Sequence, residues 1–195
     1  MNEELMAGVK SILETRKSPV EIDLNNIGLR DNDVVKLVEL LKQYPAVVIS
    51  HLRLYRNNIG NAAAVSLATL ENISSVSLED NRVGNEGAQS LVANSKIMKL
   101  NLADNPIDEK CVAFILENTK QICLGLQRTE ISDKSISQIQ EKVKDNERIL
   151  TKERIKPGYA PPSDNPVPGT NYVYYRTDLS ADGKYLGGGE VPGEK

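Results

Sequence analysis

Two apolar residues flank a polar one, a polar residue follows three positions later, and an apolar residue comes two beyond that. "HLRLYRNNIG" carries this pattern at Leu52, Leu54, Asn57 and Ile59. It returns at Val76, Leu78, Asn81 and Val83, at Leu100, Leu102, Asn105 and Ile107, and at Leu124, Leu126, Thr129 and Ile131. "VEIDLNNIG" has it at Val20, Ile22, Asn25 and Ile27. Asn57, Asn81, Asn105 and Thr129 follow one another at 24 residues, and Asn25 precedes Asn57 by 32. Self-similarity at a near-constant period marks a solenoid.

Within each unit the alternation predicts a short strand, and the second half has helical spacing. Leu67, Leu91, Ile115 and Ile139 line up on that half, beside Ala64, Ala88, Val112 and Ile136. On the strand half the columns are Val20, Leu52, Val76, Leu100, Leu124, then Ile22, Leu54, Leu78, Leu102, Leu126, then Ile27, Ile59, Val83, Ile107, Ile131. The first unit has a longer helix, through Val34, Leu37, Val38 and Leu41, and an added loop, "KQYPAV", which accounts for its longer interval.

Asparagine is a poor strand former and a good turn former. After each strand the chain must turn toward the helical side, which leaves inward-facing backbone groups without strand partners. A carboxamide offers an acceptor and two donors to satisfy them. Stacked once per unit, Asn25, Asn57, Asn81, Asn105 and the substitute Thr129 are expected to form a structural ladder.

The flanks differ from the units. Leu5, Met6, Val9, Ile12 and Leu13 recur at helical spacing, so residues 1–18 are read as an N-terminal capping helix over the exposed end repeat. Five repeats fill 19–132, and 133–155, with Ile136, Ile139 and Val143 and a charged surface, is a C-terminal capping helix with Ser132 or Asp133 as its N-cap. Residues 156–195 are rich in Pro, Gly and Tyr and lack periodicity, so they read as a weakly ordered tail with at most a hairpin turning at Asp182-Gly183.

Composition narrows the function classes. Trp is absent and Phe114 is the one Phe, so the core is aliphatic. A net charge of −3 gives no electrostatic case for nucleic acid. No apolar run approaches the ~20 residues of a membrane helix, and no membrane insertion is expected. The acidic start lacks a secretory apolar stretch. Two cysteines make neither a disulfide framework nor a metal cage, and both read as reduced thiols of a cytoplasmic protein.

The strings "LRLYRNNIG", "VSLEDNRVGNEGAQSL" and "LNLADNPID" resemble the leucine-rich repeat in its L-x-L-x-x-N-x-L form, most of all the ribonuclease-inhibitor subtype. The resemblance implies an α/β solenoid, a leucine-rich repeat array with parallel concave strands, convex helices and helical caps. A short array with an unrelated tail also resembles effectors that intracellular bacterial pathogens inject into host cells. That likeness implies a host protein as partner and the host cytoplasm as location.

In such a solenoid the outward strand positions face the concave side. They are His51, Ser75, Lys99, Cys123; Glu21, Arg53, Ser77, Asn101, Gly125; Asp23, Tyr55, Glu79, Ala103, Gln127; and Arg56, Asp80, Asp104, Arg128. Tyr55 between Arg53 and Arg56 has the residue types enriched at binding hot spots. The expected partner surface is Arg53, Tyr55, Arg56, Glu79, Asp80, Asn101, Asp104 and Gln127. His51 is read as an exposed surface histidine. It meets Cys123 only across three repeats, roughly 15 Å, so it forms no triad. Cys111 occupies the small-residue slot of Ala63 and Gly87. Asp80 and Asp104 stack one repeat apart, where screened repulsion is favoured over a bound cation. No phosphate-loop, dinucleotide or zinc-protease motif is present. The expected function is a non-enzymatic protein-interaction module, monomeric, without cofactor or metal. The alternative is a structural or assembly protein whose tail docks on its own or a neighbouring solenoid.

Overall fold

Residues 3–155 are described by the structure, a computed structural model. The tail, with its hairpin, lies outside the described residues. Helix α1 (Glu3–Thr15) precedes five strand–helix units: β1 (Val20–Asp23) with α2 (Asp31–Leu41), β2 (Ile49–Arg53) with α3 (Asn61–Leu67), β3 (Ser75–Ser77) with α4 (Asn85–Ala93), β4 (Lys99–Asn101) with a 3-10 turn (Glu109–Cys111) and α5 (Val112–Asn118), and β5 (Cys123–Gly125) with α6 (Asp133–Ile155). The strands form one sheet in chain order, every pair parallel. Among the described residues no helix is long and apolar enough to cross a membrane.

Strands of three to five residues suffice because each presents only a short run of apolar side chains to the core. Leu52, Leu54, Val76, Leu78, Leu100 and Leu102 are buried between the sheet and the helix layer. Leu67, Ala64, Leu91, Ala88 and Ile115 meet them from the helices. Gly87 belongs to this slot: a Cβ there would lie 2.8 Å from Ala64 Cβ and from Val83 Cγ1. Val9 and Leu13 of α1 are buried in the same core at one end, and Ile139 and Val143 of α6 at the other.

Three residues past each strand stands a left-handed residue: Asn26, Arg56, Asp80, Asp104 and Arg128 all have φ between 52 and 56°. That conformation is unfavourable for L-residues, least so for Asn and Asp. It swings the next side chain back beneath the strand. Asn57, Asn81 and Asn105 stand there, buried. Asn81 Nδ2 donates to the carbonyls of Leu54 (2.9 Å), Leu78 (3.0 Å) and Glu79 (3.1 Å), and its Oδ1 accepts the Ile59 N–H. Asn57 bonds the carbonyls of Leu24, Leu54 and Tyr55, and Asn105 those of Leu78, Leu102 and Ala103. Thr129 Oγ1 reaches only the Leu126 carbonyl.

Asn25 is not a rung. Past a bulge at Val20, β1 pairs with β2 as Glu21 with His51, Ile22 with Leu52 and Asp23 with Arg53, an offset of 30 residues rather than 32. Ile27 therefore occupies the ladder position, 48 % exposed, and Asn25 sits opposite Tyr55, whose N–H it accepts at 2.7 Å. The apolar columns of the first repeat shift accordingly to Ile22, Leu24 and Leu29, all buried. The reason is directional. Each ladder carboxamide donates to a carbonyl of the preceding repeat, and the first repeat has none before it.

Two further sets of side chains tie the repeats. Asn72, Asn94, Gln121 and Asn146 each donate to loop carbonyls of the preceding repeat, for example Gln121 Nε2 to Ile97 at 2.9 Å. Asp31, Asn61, Asn85 and Glu109 open the helical segments and accept the N–H of Gly60, Gly84, Asp108 and Ser132, where the next helical segment begins. Free N–H groups at helix starts are thus satisfied from the neighbouring repeat.

Candidate partner surface

The strand pleat turns Leu52 and Leu54 inward, so Arg53 and Tyr55 face outward from the sheet. With the corrected offset, the outward columns begin Glu21–His51, Asp23–Arg53, Asn25–Tyr55 and Asn26–Arg56. Tyr55 is 37 % exposed, one of few large apolar side chains left open to solvent.

The charges on this face are organised in pairs. Arg53 Nη1 donates to Glu21 Oε2 at 2.8 Å, so its partner lies on β1 and not in the acidic strip. Arg56 Nε stands 3.7 Å from Asp80. Glu79 and Asp104 are gathered by Arg128, which donates to both oxygens of Asp104 and to Glu79 Oε1 at 3.3 Å. Bonding to Asp104 raises the Arg128 pKa further. Asn101 Nδ2 donates to Glu79 Oε2 at 2.8 Å. The strip is thus neutralised rather than left as a cation site. Exposed pairs of this kind contribute about 0–1 kcal/mol each, so they set the shape and charge of the face more than the stability of the fold.

Two nominally outward positions are not surface. Ala103 is buried, and Gly125 lies beneath Asn101, whose Oδ1 would be 2.5 Å from a Cβ placed there. Gln127 is half-buried beside them. His51 is half-buried too, not an exposed histidine. Its Nδ1 is shielded from solvent without a hydrogen bond, 3.4 Å from Glu21 Oε1. Burial lowers its pKa against the opposing pull of Glu21, so the ring is neutral at neutral pH. Cys111 is buried and burial pushes its thiol up to about 11, whereas Cys123 is half-exposed on β5.

Arg128 and Glu21 belong to this surface and were not among the residues selected from sequence. Arg128 carried a signal, since it falls 24 residues after Asp104. Glu21 carried one too, since the sequence columns set it beside Arg53.

The family description "Leucine Rich repeat" matches residues 69–92. The chain is an α/β solenoid of the leucine-rich-repeat type. Leiomodin-1 Actin-Binding Site 2 superposes with a TM-score of 0.55 at 16 % identity, covering 78 % of this chain and 95 % of that one. The tropomodulin C-terminal domain of Caenorhabditis elegans superposes at 0.58 and 12 % identity, covering 76 % and 96 %. No curated protein sequence matches the chain.

Proposed function

We propose that this leucine-rich-repeat protein is a non-enzymatic module that holds a protein partner on its concave face, centred on Tyr55. The observation that carries this reading is an exposed tyrosine bracketed by two arginines on an open parallel sheet. Tyr offers apolar area and a hydroxyl at low entropic cost. Arg offers a planar fork for carboxylates. Solenoid curvature presents such a face as an extended surface. The free thiols are compatible with work in a reducing cytoplasm, a host cytoplasm if the chain is an injected effector.

The test is capture of a partner by the parent chain and by Arg53→Ala/Tyr55→Ala. Actin is the first protein to offer, because the chain shares its fold with Leiomodin-1 Actin-Binding Site 2. At 16 % identity that likeness carries the fold alone, so cell lysate is offered beside it. The double variant is expected to melt like the parent and to bind at least ~2 kcal/mol more weakly. Full-strength binding by the double variant refutes the Tyr55 centre.

A further inference from the structure

We propose that a trough along β3, on the concave face, receives an extended acidic segment of the protein partner; this rests on the concave face being the partner surface. The outward side chains of β3 are only Ser75 and Ser77. On one side β2 raises Arg53, in register with Ser77, with His51 one row above and Tyr55 one row below. On the other side β4 raises Lys99 beside Ser75 and Asn101 beside Ser77. The two walls stand two strand spacings apart, about 9.6 Å, room for one extended chain over a floor of small hydroxyls.

The chemistry of the trough selects the chain. Among the described residues the Ser75 and Ser77 hydroxyls make no hydrogen bond, and no carboxylate pairs with Lys99. Arg53 is engaged by Glu21 on its far side, away from the trough. The nearest acid, Glu79, closes the lower end with its charge countered by Arg128 and Asn101. What remains facing the trough is cationic and rich in donors: Lys99, the remaining Arg53 donors and two hydroxyls. These suit carboxylates, and Tyr55 adds an apolar wall. A basic segment would meet like charge from both walls.

The experiment titrates the full 15N-labelled chain with a short peptide of alternating Glu and Ser, its Lys/Ser counterpart, and a single-stranded oligonucleotide of similar length. Binding of the Glu peptide alone is expected, with amide shifts at Ser75, Ser77 and Lys99. Lys99→Glu should weaken it at least ~10-fold by replacing attraction with repulsion. Should Lys99→Glu fail to fold, Lys99→Gln is expected to weaken it about threefold. Equal binding of all three probes, no binding of the Glu peptide, or no change in either Lys99 variant overturns the trough. Shifts confined to Tyr55, Arg56 and Arg128 overturn the trough but leave the concave reading intact. Shifts confined to the convex helices overturn both.

Discussion

At the scale of single residues, Asn81 commits its whole carboxamide to backbone groups of two repeats. Asn81→Ala would leave the buried Ile59 N–H without its partner and take one of two donors from the carbonyls of Leu54, Leu78 and Glu79, and should cost about 1–3 kcal/mol in chemical denaturation. Asn25→Ala should stay within ~0.5 kcal/mol, since Asn25 faces solvent in part and makes one bond to the Tyr55 N–H. Equal losses would contradict the ladder as described. The two asparagines also show what a sequence can reveal. Asn57, Asn81 and Asn105 are legible because the 24-residue period holds whatever the geometry. Asn25 misleads because the alternation Val20, Ile22, Leu24 can be read in two frames, and pairing of β1 past its bulge selects the one that lacks an Asn at the ladder place. The cysteines give a second prediction. Burial holds the Cys111 thiol protonated well above neutral pH, so a thiol reagent should label Cys123 first and Cys111 only on unfolding.

Among elements, the connections between helix starts contribute to acid stability. Asn85 and the Lys110 backbone hold Asp108 below the usual carboxylate range, and Ser132 does the same for Glu109. A depressed carboxylate contributes stability that is present above its unfolded pKa of ~4 and is lost as pH falls through its folded value. The melting temperature should therefore drop on acidification below about pH 4, and less steeply in Glu109→Gln. An unchanged acid limb in that variant would remove Glu109 from the account. His51 adds loss at higher pH: its lowered folded pKa means stability falls as pH drops below ~6.5. Gly87→Ala supplies a test of helix packing. In an exposed helix this change stabilises by up to about 1 kcal/mol, but here the new methyl meets Ala64 and Val83 at 2.8 Å and should destabilise by about 1–3 kcal/mol. The capping column was readable in principle, because Asn61, Asn85 and Glu109 keep the 24-residue period. The other set, Asn72, Asn94, Gln121 and Asn146, was not, because loop carbonyls can be reached from several positions and the spacing drifts.

For the whole molecule, the fold follows from repetition. No unit can bury its apolar face alone, and stacking in chain order gives each one a neighbour. The end helices α1 and α6 supply apolar side chains where a neighbour is missing. The face left open is the concave sheet, and the claim that it holds the partner is the one most worth testing. Ser77→Trp would block the concave face, and Val65→Trp would enlarge an exposed position on the outer helix α3. Both chains should melt like the parent, since both positions leave the core untouched. The dissociation constant of the captured partner should rise at least ~10-fold for Ser77→Trp, an effect of hot-spot size, and stay unchanged for Val65→Trp. Loss of binding in Val65→Trp with full binding in Ser77→Trp would place the partner on the convex helices and contradict the account.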